Sequence, residues 1–367
     1  MSDPAALLRT HPDDGPALTR LIFSRLTPDV DLRLSDTERD HIRQGLRQQP
    51  LASGSLVLLA RAAEASGDPR AAQALLAVAQ RVTRRDAAVQ SIFLQQAAFA
   101  GQAGPMLSAA HALLSVHPQT RARLLPPLAN ALDQGDLQTA LRPYVRQHAA
   151  WMPDFMTVAS QSAPLEALLP FVSTHAQDFA ATPYQAANAM VMSRLAAAGQ
   201  ARELAALQQK WLPDLPRAAL AQFPPSLATL DPRLGRLGWS LGQSDIARVD
   251  LEEPGVLKLS IAPLARASVA ERDMPVMPGR HYAVSMRMDQ PTDAAPVRLD
   301  ARILCVGKGP EALAELPVDL TRTPGRMMGR FSVPTTCHCV RFHLQAVGPD
   351  SQFEASIKIF EFKLFQI

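Results

Sequence analysis

Aromatic residues make up only 5% of this 367-residue chain, and it carries just three cysteines. With so few rings, aliphatic side chains must fill the core. Hydrophobic residues reach 47%, supplied mostly by Ala and Leu, which is the composition of packed helices. An excess of one charge is missing as well. Lys and Arg total 37 against 34 Asp and Glu, and the balance holds on both sides of residue 230. A phosphate-binding surface needs a single-sign excess, so nucleic acid is not expected as a partner. No window approaches the roughly 18 apolar residues of a membrane span. The opening "MSDPAALLRTHPDDG" shows neither a basic nor an apolar export region.

Catalytic motifs are absent too. There is no G-x-S-x-G and no H-E-x-x-H, and "VGKGPEA" lacks the upstream glycine of a phosphate loop. Asp29 and Asp31 in "PDVDLR" have no nucleotide-binding sheet pattern around them and read as a solvated turn. "CHC" (Cys337, His338, Cys339) would turn its histidine away from both cysteines on a strand, and a closed zinc site needs four ligands. No metal, cofactor or catalytic residue is therefore assigned.

What is present is a period. Gly67, Gly101 and Gly135 are spaced by 34 residues, and Pro118 follows Pro50 by twice that interval. A unit starting at Ser53 places Leu56, Ala60 and Ala63 on a first helix and Ala72, Leu76 and Ala79 on a second. Small residues at Ala60 and Ala72 let two helices cross closely, and a glycine between them ends the first. Ser35 and Glu38 form a capping-box pattern upstream, and the Pro126-Pro127 pair predicts a helix start there. These positions resemble the tetratricopeptide repeat. The resemblance implies an α-solenoid of helical hairpins over residues 1–222 whose concave face docks a protein partner. Carried onto this chain, the face includes Arg61, Glu64, Gln95, Phe99 and Asp133, with Val57, Leu125, Ala129, Leu132, Ala189 and Ala196 beside them. Phe99 is its expected anchor.

Prolines crowd residues 212–232, and a linker is expected over 223–236. From 237 to 367 the period becomes two. "VLKLSIA", "HYAVSMRM", "VRLDARILC" and "VRFHLQA" alternate apolar and polar residues, and Pro-Gly pairs at 254, 278 and 324 supply turns. "FEASIKIFEFKLFQI" shifts phase after Ile359, which predicts a β-bulge turning Phe360, Phe362 and Leu364 inward. The fold class is thus α then β: helical hairpins followed by an antiparallel β-sandwich, or jelly roll. "GWSL", "VMPGRHYAVSMRM" and the terminal strand resemble carbohydrate-binding jelly rolls of the galactose-binding type, which implies sugar stacking on aromatics. Trp239 and Tyr282 are the candidates, and their alternation with aliphatics gives a core position as the competing reading. All three cysteines lie in this part. Cys305 with Cys337 is the expected disulfide, against three reduced thiols as the alternative.

The order of modules is similar to accessory proteins of bacterial envelope-polysaccharide systems. It implies a non-catalytic scaffold in exopolysaccharide assembly or export, in the periplasm or cell envelope, binding a protein through its helices and a polysaccharide or second surface through its sandwich. The alternatives are a cytoplasmic scaffold that binds no glycan, and a glycan-modifying enzyme with its site at the domain junction.

Overall fold

The computed structural model describes residues 14, 17–19, 21–22, 34–83, 85–214, 231–253, 256–289, 297–307, 311–319 and 326–367. Asp29, Asp31, most of the proline-rich stretch, Pro254-Gly255 and Pro324-Gly325 lie outside them. The chain divides into two compact units, Met1–Trp151 and Met152–Ile367. The last helices therefore belong with the strands.

The first unit holds helices α1 (Asp36–Gln48), α2 (Ser53–Ala65), α3 (Pro69–Val82), α4 (Ala87–Phe99), α5 (Ala103–Val116), α6 (Arg121–Asn130) and α7 (Gly135–Arg146). Ser35 caps α1 with Glu38 returning the bond, at 3.2 and 2.9 Å. Helix α2 packs along α3, and α4 along α5. Gly67 and Gly101 take the left-handed backbone (φ 81° and 65°) that lets the chain turn between partners. Two expectations are corrected here. Gly135 opens α7 instead of ending a first helix. Pro126 and Pro127 sit inside α6, where burial of Leu125, Leu128 and Ala129 offsets two missing backbone donors.

Ala60 and Ala72 are both buried on the paired helices α2 and α3. A larger side chain must push the pair apart. We expect Ala72→Leu to destabilise the first unit by about 1–3 kcal/mol, read as a lower urea midpoint at unchanged slope. An unchanged midpoint would contradict a close crossing at this residue.

The second unit begins with α8 (Met152–Ser162), α9 (Leu165–Thr174), α10 (Gln185–Ala197) and α11 (Ala201–Trp211). Arg194 of α10 donates to the carbonyls of Ser160 and Ala163 at 2.9 and 2.7 Å, satisfying the C-terminal end of α8. Trp211 Nε1 donates to the Ala176 carbonyl at 2.9 Å. Eleven strands follow among the described residues: β1 (Ser240–Leu241), β2 (Gln243–Ser244), β3 (Ala247–Glu253), β4 (Val256–Ile261), β5 (Arg266–Pro275), β6 (His281–Asp289), β7 (Arg298–Cys305), β8 (Ala312–Asp319), β9 (Arg326–Ser332), β10 (Cys339–Val347) and β11 (Ala355–Gln366). They form a five-stranded sheet, β1-β5-β10-β7-β8, and a six-stranded sheet, β2-β3-β4-β11-β6-β9, antiparallel throughout. The inward residues of both sheets make one apolar core. Leu257, Leu259 and Ile261 face it from β4, and Val340, Phe342, Leu344 and Ala346 from β10.

Candidate functional site

The residues assigned to a concave helical face divide by burial. Arg61 and Glu64 on α2 pair with each other at 3.4 Å. Gln95 is exposed on α4, and Phe99 at its end is 85% exposed. Asp133 is exposed in the turn after α6. No hydrogen bond or ion pair among the described residues joins these three groups. Val57, Leu125, Ala129, Leu132, Ala189 and Ala196 are instead buried in the helix packing. Their apolar side chains gain more from the core than a groove would give them.

The two aromatics singled out for sugar stacking are core residues, a correction to the reading from the resemblance. Trp239 is 7% exposed, with its ring edge-on to Phe342 and Phe362 at 5.9 and 5.2 Å between centroids. Tyr282 is 6% exposed and stacks on Phe331, while its hydroxyl accepts from the Met277 amide at 2.9 Å. Alternation with aliphatics places Tyr282 on the inward side of β6, while Trp239 stands just before β1 and turns its ring into the same core.

Beside Trp239 lies a buried cation. Ala270, Arg272 and Met274 pair with Leu344, Phe342 and Val340, so Arg272 points between the sheets. Its guanidinium carbon lies 5.8 Å from the Trp239 ring centre, and its Nε and Nη1 find no partner among the described residues. Burial lowers its pKa to about 10. We expect Arg272→Met to leave stability unchanged or raise it, because the change removes a desolvated charge. A loss of more than about 1 kcal/mol in chemical denaturation would show that the guanidinium has a partner worth a hydrogen bond.

The outer faces of the two sheets differ. On the five-stranded sheet, Asp273 is buried and holds Arg341 through two contacts of 2.7 and 3.0 Å. That pair raises the Arg341 pKa. Cys339 is also buried there, and its thiol pKa is pushed well up by desolvation. Helix α10 packs against β5 in this unit. Elsewhere on the face, charges pair off: Arg298 and Arg266 with Asp300, and Arg302 with Glu315. Among the described residues of this face there is no Phe, Tyr or Trp; the one ring is His343, bonded to Ser268 at 3.0 Å.

The six-stranded sheet carries a different surface over β11, β6 and β9. Register sets Phe365, Ala283 and Arg330 in one row, and Lys363, Ser285 and Met328 in the next. A register shift between Ile359 and Glu361 then brings Phe360 beside Arg287, whose guanidinium lies 5.5 Å from that ring centre. The bulge expected near Ile359 is present, but it turns Phe360 outward, and only Phe362 and Leu364 return to the core. Ala283 and Ser285 form a buried floor. Phe360 and Phe365 are partly exposed, and Arg287, Arg330, Lys363 and Met328 are exposed. Arg287 and Ala283, beside which the two phenylalanines sit, are four residues apart on β6, about 14 Å at ~3.4 Å per residue. Reading the sequence missed this strip because it sent Phe360 to the core. The alternation of Lys363 and Phe365 against Phe362 and Leu364 was the signal available.

Cys305 and Cys337 are joined in a disulfide with their Cα atoms 5.9 Å apart. His338 lies against Gly199, where a Cβ would fall 2.6 Å from the imidazole Cγ. Among the described residues no three His, Cys, Asp or Glu side chains gather as a metal site.

No family model and no curated protein sequence matches the chain. Several solved structures are similar to its C-terminal β part. A CBM4 structure shares 15% identity with TM-score 0.29, over 37% of this chain and 92% of that one. TmCBM61 in complex with β-1,4-galactotriose shares 11% with TM-score 0.27, over 40% and 100%. The accessory secretory protein 1,2 and 3 structure from Streptococcus pneumoniae shares 11% with TM-score 0.27, over 35% and 95%.

Proposed function

We propose that the chain is a non-catalytic adaptor whose sandwich docks a glycan on the outer face of β11, β6 and β9. The observation that carries this is the strip itself. Phe360 and Phe365 are partly exposed on either side of the buried Ala283 and Ser285, on a sheet whose other side is the core. Sugar rings present apolar C–H faces, which gain from lying on a phenyl ring. Among the described residues, the outer face of the other sheet offers paired charges and no Phe, Tyr or Trp. The helical repeats, with Phe99 exposed at the end of α4, are the part that docks a protein. The Cys305–Cys337 bridge supports an oxidising compartment such as a bacterial envelope, where exopolysaccharide is assembled or exported.

A glycan array probed with the full chain tests the sandwich reading. Binding should be lost in Phe360→Ala/Phe365→Ala while the protein melts cooperatively near the parent temperature. Glycan binding that survives the double change would place the site elsewhere, and absence of any binding would leave a scaffold that docks proteins alone.

A further inference from the structure

We infer that Arg272 and Trp239 form a binding site for a small carboxylate at the β1 edge of the sandwich. This site is separate from the glycan-docking face and does not depend on it. Arg272 Nε, Arg272 Nη1 and Trp239 Nε1 are buried donors without an acceptor among the described residues. The two residues are only 8% and 7% exposed. Buried donors of this kind are rare, because leaving one unsatisfied costs about 1–3 kcal/mol. Three of them on two touching side chains call for one acceptor that serves both.

Register explains why the two residues meet. Strand β1 pairs with β5 through Ser240 opposite Glu271 and Leu241 opposite Ala270. One residue further in the same register, Trp239 stands beside Arg272, and both side chains turn into the sandwich. Strand β1 is the last of its sheet and begins only at Ser240, so the pair sits at the rim of the sheet. The nearest carboxylates in sequence are committed elsewhere. Glu271 and Asp273 alternate to the other face of β5 and hold Arg341, at 3.5 and 2.7 Å.

Burial lowers the Arg272 pKa only to about 10, so the guanidinium keeps its charge at neutral pH. A buried charge is stabilised best by an opposite charge that also fills its hydrogen bonds. A water molecule would bring no charge. A carboxylate brings one, and its two oxygens offer about four lone-pair sites, enough for the guanidinium and the indole together. The indole already packs edge-on against Phe342 and Phe362, so the smallest acids are the right probes.

The test titrates the isotope-labelled full-length protein with sodium formate, sodium acetate and sodium chloride and follows the indole N–H resonances of its three tryptophans. Trp151 and Trp211 are internal references, because their Nε1 groups already donate to His111 Nδ1 at 3.0 Å and to the Ala176 carbonyl at 2.9 Å. Trp239→Phe identifies the third resonance. We expect formate and acetate to move the Trp239 resonance downfield along a saturable curve while the other two stay in place. Arg272→Met should weaken that binding at least tenfold, the loss of one charge-assisted contact. In carboxylate-free buffer this variant should fold at least as stably as the parent, and the parent titration decides the matter without it. A Trp239 resonance that ignores both acids, or that Arg272→Met leaves equally responsive, would overturn the inference. A response to chloride as strong as that to the acids would overturn the carboxylate class.

Discussion

Reducing the Cys305–Cys337 bridge is expected to lower the stability of the sandwich by about 3–4 kcal/mol. Cys305 ends β7 and Cys337 precedes β10, and these strands are hydrogen-bonded neighbours with Val340 opposite Cys305. The bridge spans 32 residues that include β8 and β9. In the reduced unfolded chain this segment is free, so the loss falls mainly on the entropy of closing the loop. Cys305→Ser/Cys337→Ser should reproduce the effect of reductant, and reductant should then add nothing. Cys339 is buried with its thiol pKa pushed up, so it supplies little thiolate to reshuffle the bridge. Urea unfolding followed by a probe of the sandwich measures the shift. A midpoint that ignores reductant would mean that the bridge contributes no stability.

Trp239→Ala is expected to cost about 3–5 kcal/mol, the range for deleting a large buried ring. Trp239 fills the space between the sheets against Phe342 on one and Phe362 on the other. Its loss leaves a cavity that two close-packed sheets cannot fully collapse. It also removes the ring beneath the Arg272 guanidinium, exposing that buried charge to a void. Thermal unfolding of the variant reads the effect. If the protein instead kept its melting temperature and lost only glycan binding, Trp239 would be a sugar platform and the core description of the residue would be wrong.

Much of this architecture was legible in the sequence because the relevant signals are local. Period two in "VLKLSIA" and "VRFHLQA" marks residues that do face the core, since strand geometry alone turns alternate side chains to one side. Gly67 and Gly101 were readable as turn residues because an L side chain resists a positive φ. Gly135 has the same spacing and opens a helix instead, because the helix before it ends early at Asn130. Its spacing carried no information about its backbone.

The docking strip was harder to read because it depends on register. Phe365 and Arg330 are 35 positions apart in sequence and meet only through Ala283 on the strand between them. Phe360 was misread for a narrower reason. A bulge was expected to carry all three later apolar residues inward, but a bulged strand must turn at least one residue away from its former side. The union of Cys305 and Cys337 was open to both readings. Strict alternation set them on opposite sides, and only the irregular stretch before β10 lets Cys337 turn toward the core.

The central claim, that the β11–β6–β9 face is the docking surface, is tested most directly by lysine labelling of the full-length protein with and without a polysaccharide that it binds on the array. Lys363 lies in the strip, Lys258 lies on the opposite half of the same sheet, and Lys210 lies on α11. Mass spectrometry after brief amine acylation should show Lys363 protected by the polysaccharide and Lys258 and Lys210 labelled as before. Equal labelling of Lys363 in the presence of bound polysaccharide would contradict the claim.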